Sequence, residues 1–277
     1  MRTDIVSCKD YVEIKKKELK EEIKHLDKKP VLAVIQIDDD QASNSYIKGK
    51  QKDCDEIGIE MRHVNIYSNT TEQKEVECVI TDIANSDADG IIIQLPIPGK
   101  YNLERLQNLI PPEKDVDGFH PVSVGRLWIG EKGFLSCTPA GIIQLLKRSN
   151  ISIEGKECVI IGRSNIVGKP MAALLLRENG TVTVAHSRTK DLKEVAKRAD
   201  ILIVAIGKER FITSEYIKEG AVVIDVGMHR DEANHLCGDV DFANVEPHSS
   251  AITPVPGGVG PMTIAMLMNN CVETVRK

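Results

Sequence analysis

The residues from Gly162 to Pro170 have the types and spacing that could bind a phosphorylated ligand. They read Gly-Arg-Ser-Asn-Ile-Val-Gly-Lys-Pro, follow the apolar run 158–161 and precede a helical pattern at 171–176. A glycine turn between a buried strand and a helix exposes backbone N–H groups at the positive end of the helix dipole, where a pyrophosphate binds. The next glycine after Gly162 is Gly168, so the spacing differs from the usual G-x-G-x-x-G fingerprint. The stretch predicts a nucleotide site, with a tight turn that binds nothing as the alternative.

The next predicted strand, 181–185, ends in residues that favour one of the two nicotinamide cofactors. A site for NAD places an acidic residue about 20 residues beyond the glycines, on the ribose 2′-hydroxyl. This chain has His186, Ser187 and Arg188 there instead, and Arg163 lies in the glycine turn. A hydroxyl and guanidinium groups suit a 2′-phosphate, because arginine forms charge-assisted bidentate bonds to phosphate oxygens. The sequence therefore favours NADP, and an ordinary solvated loop is the alternative for either residue alone.

Four polar side chains in the first half of the chain are candidates for chemistry. Tyr46 and Lys50 are four residues apart on a predicted helix and share a face. Gln94 interrupts an apolar strand near its carboxyl end, where parallel sheets bind ligands, and Asp117 lies in the acidic, proline-bounded loop 112–121. Each has a structural alternative: a surface pair for Tyr46 and Lys50, a backbone-bonded amide for Gln94, and a solvated loop for Asp117.

A second loop, residues 253–263, is rich in proline and glycine and directly precedes the last predicted helix. Prolines fix the backbone path, and glycines allow a ligand to approach the backbone closely. The composition of this loop is typical of a ligand-contacting segment.

The elements that must position these residues alternate between strand and helix. Strands are predicted at 31–37, 89–95, 158–161, 181–185, 201–206 and 221–226. Helices are predicted at 12–26, at 43–57 (ended by Gly58), at 102–110, at 141–146 after a Thr138 cap, and from 261 to the C-terminus. Two more helices are predicted to begin at a capping box of Thr70 and Gln73 and at a cap formed by Asp191 and Glu194. This order predicts an α/β protein of two domains, the second a Rossmann-type domain, with a ligand cleft between them. We expect the catalytic domain at 1–135, with 261–277 packing back on it, and the cofactor domain at 136–260.

Composition excludes several classes of protein. The formal net charge of −5 offers no basic surface for nucleic acid. Seven cysteines, none in a C-x-x-C pair, indicate reduced thiols and no metal site. Neither a secretory signal nor an apolar run of membrane-spanning length is visible, so we expect a soluble cytoplasmic protein without a membrane partner.

Five segments together resemble one known family. They are Tyr46-x-x-x-Lys50, Gln94-Leu95-Pro96, the loop 112–121, the glycine turn 162–170 and the run Pro-Val-Pro-Gly-Gly-Val-Gly-Pro at 254–261. Their order and spacing from about residue 31 to the C-terminus are similar to those of the tetrahydrofolate dehydrogenase/cyclohydrolase family.

The resemblance implies a bifunctional enzyme of one-carbon metabolism that oxidises 5,10-methylenetetrahydrofolate with NADP⁺ and hydrolyses the methenyl product to 10-formyltetrahydrofolate. By the same resemblance Lys50 is the catalytic lysine, Gln94 positions it or the water, Tyr46 contacts the folate, and Asp117 holds the pterin. The loop contributes further substrate contacts, which are Pro256, Gly257 and Gly258.

The resemblance also implies the cofactor contacts and a homodimer. The cofactor positions are Gly162, Arg163, Ser164, Ser187 and Met228. Met228 and His229 stand where the family usually has Ile-Asn, which puts the cofactor preference in question, and Asp38 stands where a glycine is common. Two alternatives stay open: a dehydrogenase without cyclohydrolase activity, and a non-catalytic NADP-binding scaffold.

Overall fold

The computed structural model describes residues 3–276, apart from the side chains of residues 41 and 42. The strands are β1 (Asp4–Ile5), β2 (Val31–Ile37), β3 (Glu60–Ile66), β4 (Gly90–Ile93), β5 (Glu157–Ile161), β6 (Thr181–Ala185), β7 (Ile201–Val204), β8 (Ala221–Asp225), β9 (His229–Arg230), β10 (Leu236–Cys237) and β11 (Ser249–Ile252). The helices are α1 (Lys9–Ile23), α2 (Gln41–Ile57), α3 (Gln73–Ala84), α4 (Leu103–Gln107), α5 (Pro121–Ile129), α6 (Cys137–Arg148), α7 (Gly168–Arg177), α8 (Leu192–Ala196), α9 (Phe242–Val245) and α10 (Val259–Glu273), with 3₁₀ turns at Ser214–Tyr216 and Glu246–His248.

The chain divides into two compact units. One, here called the six-strand unit, comprises residues 1–12 and 138–263, and the other, the three-strand unit, comprises residues 13–137 and 264–277. The expected domain boundaries differ from this division mainly in residues 1–12. The structure groups these residues with the six-strand unit because β1 pairs with β11, Asp4 opposite Ala251.

The six-strand unit is built on a parallel sheet in the order β1-β11-β8-β7-β5-β6. The chain passes from β5 to β6 on one side and then returns to β7 on the other, so the strand order reverses at β5. This is the topological switch point at which open α/β sheets bind ligands. β7 and β8 are buried along their whole length, as expected for a parallel sheet covered on both faces.

The three-strand unit has a parallel sheet in the order β3-β2-β4. Successive side chains of β2 enter two different cores. Leu32 and Val34 join a cluster with residues of α1, α2 and the C-terminal part of α10, whereas Ala33, Ile35 and Ile37 join a cluster with α3. The sheet therefore forms the middle layer of this unit, and its strand order also reverses at β2, between β3 and β4.

Local signals explain the bounds of α2, which carries two of the candidate residues. The Asp40 carboxylate accepts from the Ser43 N–H (2.8 Å) at the N-cap, and Gly58 ends the helix with φ 101° while its N–H donates to Cys54 O. The predicted Gly58 stop is confirmed, and the helix begins at Gln41, two residues earlier than predicted.

Two predicted helix caps are wrong, and a third makes no capping bond. Thr138 lies inside α6, which begins at Cys137, and so does not cap that helix. The third helix begins at Gln73, where Glu72 and Glu75 form the capping box, because Thr70 belongs to the preceding turn and its N–H bonds Tyr67 O. At α8, Asp191 is the N-cap residue, yet its side chain makes no cap bond and its φ is 51°. Spacing alone therefore located these helices but not the hydrogen bonds at their first turns.

The sequence analysis did not predict β1, β3, β9, β10, β11, α5 or α9. The strands at 31–37 and 181–185 are confirmed to the residue, and the other predicted strands differ by at most two residues at either end. Within residues 3–276, no helix combines the length and apolar character needed to cross a bilayer.

Candidate active site

The three-strand unit brings Lys50 and Gln94 into direct contact. Lys50 projects from the middle of α2, and Gln94 follows β4 at the carboxyl edge of the sheet. The Lys50 Nζ donates to Gln94 Oε1 at 2.6 Å. These two residues are 44 positions apart in the chain, and the contact places a lysine at the strand-order reversal of this sheet.

The orientation of the Gln94 side chain follows from its hydrogen bonds. Its backbone N–H donates to Ile35 O (2.8 Å), which extends the ladder between β4 and β2 by one residue. Its side-chain Nε2 donates to Leu95 O (2.7 Å), so Oε1 must be the atom that faces Lys50. The amide is held at both ends, and the lysine amine has a fixed acceptor.

Asp117 lies in a loop that a neighbouring carboxylate holds in place. The buried Asp115 accepts from the N–H groups of Phe119 (3.2 Å) and His120 (2.8 Å) and from the Ser123 hydroxyl (2.7 Å). By contrast, the Asp117 carboxylate accepts no hydrogen bond from the residues that the structure describes. Asp115 is thus the structural carboxylate of the loop, while the half-buried Asp117 has acceptor sites that no described residue uses.

Burial shifts the charges of this site away from their ordinary values. Burial lowers the pKa of Lys50, and the negative charge of Asp117 opposes this shift. Burial also raises the pKa of Asp117 to about 7, an effect that Lys50 opposes and Asp115 increases. A lysine with a lowered pKa is a better general base near neutral pH, since more of it is in the neutral form.

Tyr46 lies one turn before Lys50 on α2 and is half-buried. Burial raises the pKa of its phenol, so the hydroxyl remains protonated and can donate a hydrogen bond. The helix therefore places an aromatic ring and an amine on the same face, as the spacing predicted.

In the six-strand unit, the glycine turn has the backbone geometry of a nucleotide cradle. Gly162 follows β5 with φ 134°, and a Cβ there would lie 2.2 Å from Ala205 O, beyond β7. A Cβ at Gly168, the first residue of α7, would lie 2.2 Å from Gly162 O. Only glycine fits at these two positions, and the turn brings the start of α7 to the switch point at β5.

The side chains around this turn fit a phosphorylated cofactor. The Ser164 Oγ accepts from the Val167 N–H (3.1 Å) and the Gly168 N–H (3.4 Å), which leaves its own O–H to donate to another oxygen. Arg163 and Ser187 are exposed, and their side chains make no hydrogen bond or ion pair with any residue from 3 to 276. Two donors without a protein acceptor, beside a glycine turn, match a dinucleotide with a 2′-phosphate.

The remaining predicted contacts also belong to the six-strand unit. Met228 is 39% exposed, and its Cε lies 3.1 Å from where a Cβ on Gly260 would be. Pro256, Gly257 and Gly258 form the turn between β11 and α10, in which Gly257 O accepts from the Cys8 N–H (3.0 Å). This loop is held by the segment that leads into α1.

Sequence reasoning missed three polar groups that support the site. Asp115 was indistinguishable from Asp117 by residue type, because only the fold shows which carboxylate is bonded. Asn270 of α10 donates to Val116 O (2.9 Å) and Leu135 O (3.1 Å), and so fixes the backbone beside Asp117. Asp239 binds the loop after β7. No local sequence signal marks any of these contacts.

No group of three or more metal-ligating side chains occurs within the described part of the chain.

The parallel sheet with its glycine turn and the lysine–amide–carboxylate site define the class of two-part, nicotinamide-nucleotide-dependent α/β enzymes. Two family models match the chain: tetrahydrofolate dehydrogenase/cyclohydrolase, catalytic domain, over residues 6–117, and tetrahydrofolate dehydrogenase/cyclohydrolase, NAD(P)-binding domain, over residues 136–277. The chain therefore belongs to the tetrahydrofolate dehydrogenase/cyclohydrolase family.

Individual relatives cover almost the whole chain. The bifunctional protein FolD of Lachnoclostridium phytofermentans is 60% identical over 265 residues, which cover 95% of this chain and 94% of the relative. The crystal structure of the bifunctional enzyme FolD from Campylobacter jejuni has a TM-score of 0.95 at 44% identity and covers 99% of this chain and 98% of its own. The Trypanosoma brucei dehydrogenase-cyclohydrolase, complexed with NADP cofactor and inhibitor, has a TM-score of 0.93 at 33% identity, with coverage of 99% and 98%.

Proposed function

We propose that the chain oxidises 5,10-methylenetetrahydrofolate to 5,10-methenyltetrahydrofolate with NADP⁺ and hydrolyses the methenyl compound to 10-formyltetrahydrofolate. The observation that carries this proposal is the half-buried Lys50, whose amine bonds Gln94 Oε1 at 2.6 Å and whose pKa is lowered by loss of hydration. Similarity to the bifunctional relatives over at least 94% of the length of each chain supports both activities.

The dehydrogenase step depends on positioning. When bound, the nicotinamide cofactor accepts the hydride that leaves the methylene carbon. The adjacent folate nitrogens share the positive charge that develops, so the protein has no proton to remove. The chain's part is to orient the two molecules. Gly162, Arg163, Ser164, Ser187 and Met228 would hold NADP, and Pro256, Gly257 and Gly258 would hold the folate.

The hydrolysis step needs a base and then an acid. Water attacks the methenyl carbon, and the neutral amine of Lys50 accepts the proton that this water loses. The protonated Lys50 then donates to one ring nitrogen as the bond from that carbon to this nitrogen breaks. The remaining hydroxyl loses its proton to the amine so formed and becomes the formyl carbonyl, so one proton is released overall. A lysine can serve both transfers, because a lowered pKa makes its ammonium a better acid and leaves more of the amine neutral to act as a base.

The neighbours of Lys50 have separate roles. Gln94 holds the amine in one direction through Oε1. Asp117 would accept two N–H donors of the pterin, since its carboxylate accepts no hydrogen bond from the described residues, and two such donors favour its ionised form. Tyr46 would contact the folate ring from the same helix face.

The family resemblance further supports a cytoplasmic homodimer that interconverts one-carbon folates for purine, methionine and histidine synthesis. The exposed Leu176 and Val184, on α7 and the edge strand β6, provide apolar surface for association through the six-strand unit. Analytical ultracentrifugation at two protein concentrations tests the dimer directly.

The deciding experiment follows both activities in purified wild type and Lys50→Met. With 5,10-methylenetetrahydrofolate and NADP⁺, the wild type should produce reduced NADP and the 10-formyl product. The variant should hydrolyse the methenyl compound at no more than the uncatalysed rate, while it still binds NADP⁺. Lys48→Met, on the exposed side of the same helix, is the matched control and should keep both activities. A cyclohydrolase rate retained by Lys50→Met would refute the role of Lys50, and no turnover by the wild type would favour the scaffold.

A further inference from the structure

Asp239 is a fully buried carboxylate that organises the loop after β7. Its Oδ2 accepts from the N–H groups of Ile206 (2.7 Å) and Gly207 (3.1 Å), and its Oδ1 accepts from the Lys208 N–H (2.8 Å). Three consecutive backbone donors on one carboxylate fix the path of this loop.

His229 supplies the fourth contact to the same carboxylate. Its Nε2 lies 2.8 Å from Asp239 Oδ1. An ionised carboxylate only accepts, so Nε2 carries the proton in both charge states of the ring. The imidazole side chain is 23% exposed, whereas that of Asp239 is 0% exposed, so the histidine lies at the surface side of the carboxylate.

The hydrogen-bonded pair of Asp239 and His229 lies next to the glycine turn. The loop 206–208 begins directly after Ala205, whose O would be only 2.2 Å from a Cβ on Gly162. A Cβ on Gly227 would lie 2.3 Å from the Asp239 N, so the segment that carries Met228 and His229 also contacts Asp239 closely. A shift of Asp239 would therefore move the loop that backs the glycine turn.

We propose that His229 is a positioning residue for the cofactor: by donating to Asp239 it holds the loop 206–208 in place behind the glycine turn. This inference rests on the proposed NADP site, and it assigns to His229 no contact with the reacting atoms. The bond matters most for dinucleotide binding, since the loop and the turn border the same switch point of the sheet.

Two substitutions separate the effect of losing the hydrogen bond from the effect of losing the imidazole ring. His229→Leu removes the donor. His229→Gln restores it, because Nε2 is three bonds from Cβ in both histidine and glutamine. His248→Leu is the matched control, since His248 pairs with the exposed Glu219 at 3.0 Å on the same unit, beside the amino end of β8.

The test is titration calorimetry of NADP⁺ with each protein, together with the KM for NADP⁺ and the cyclohydrolase rate on methenyltetrahydrofolate without dinucleotide. We expect His229→Leu to weaken NADP⁺ binding about tenfold, in line with the loss of one charge-assisted bond. His229→Gln should bind within about threefold of wild type by the same reasoning, and the cyclohydrolase rate should be unchanged in both.

Three results would overturn the inference: unchanged NADP⁺ binding in His229→Leu, equal weakening in His229→Gln, or loss of cyclohydrolase activity in parallel with binding. The last would mean that the bond supports folding alone. Failure of the wild type to bind NADP⁺ would instead count against the proposed function, so the two failures are distinguishable.

Discussion

Replacing Gln94 by leucine and by glutamate should move the pKa of Lys50 in opposite directions. The Gln94 Oε1 is the acceptor for the Lys50 amine at 2.6 Å. Leucine removes this acceptor at similar volume, and glutamate replaces it with a negative charge. If neutral Lys50 is the base, the hydrolysis rate rises with pH through its pKa. The ascending limb of the pH profile therefore reports the pKa.

The sizes of the two shifts follow from the contact. A hydrogen bond to a charged group contributes about 1.5–3 kcal/mol and a neutral one about 0.5–1.5 kcal/mol, so leucine destabilises the ammonium relative to the amine by about 1 kcal/mol. One pKa unit corresponds to about 1.4 kcal/mol, so the pKa should fall by somewhat less than one unit. A carboxylate about 4 Å from the ammonium contributes about 4 kcal/mol at an effective dielectric constant of about 20. Glutamate should thus raise the pKa by up to about three units, less the cost of its own burial.

The assay is the hydrolysis of methenyltetrahydrofolate at saturating substrate over a pH series, corrected for the uncatalysed reaction at each pH. Gln36→Leu is the matched control, because Gln36 is another buried amide of the same sheet and bonds Asn44 and His63 rather than Lys50. It should lower stability without moving the profile. Shifts of the two Gln94 variants in the same direction, or equal losses of rate at every pH, would refute a neutral lysine base.

Three further predictions test the rest of the structure. Arg163→Ala combined with Ser187→Ala should weaken NADP⁺ at least about tenfold and NAD⁺ much less, by calorimetry; equal losses would contradict the 2′-phosphate assignment. Gly162→Ala places a Cβ 2.2 Å from a backbone carbonyl at φ 134° and should lower the melting temperature and remove NADP⁺ binding; unchanged binding would show that the turn relaxes freely. Asp38 has φ 70° and accepts from the N–H (2.6 Å) and the hydroxyl of Ser68. Asp38→Ala should therefore lower the free energy of unfolding, measured in urea, by about 2 kcal/mol. Asp38→Gly should lower it by about 1 kcal/mol less, because glycine adopts this φ without strain. Equal costs would exclude a conformational contribution.

Much of the fold could be predicted because its signals are local. The strand at 181–185 alternates apolar and polar residues beside a glycine, and α2 ends where Gly58 adopts a left-handed φ that its neighbours would avoid. The short strands β1 and β9 could not be predicted, because two residues carry no periodicity. Their formation depends on partners that are distant in sequence or on a hairpin.

The sequence by itself determined the family, the cofactor class and the candidate residues, because each motif is a short run whose turn chemistry or helical spacing is set by neighbouring residues. Only the tertiary structure decided which of those residues meet and which groups bond them. Lys50 and Gln94 meet across 44 positions. Asp115 accepts hydrogen bonds from its own loop, whereas Asp117 accepts none from the described residues. The pKa values of Lys50 and Asp117 shift because distant segments exclude water from them, and that desolvation depends on packing that no local pattern encodes.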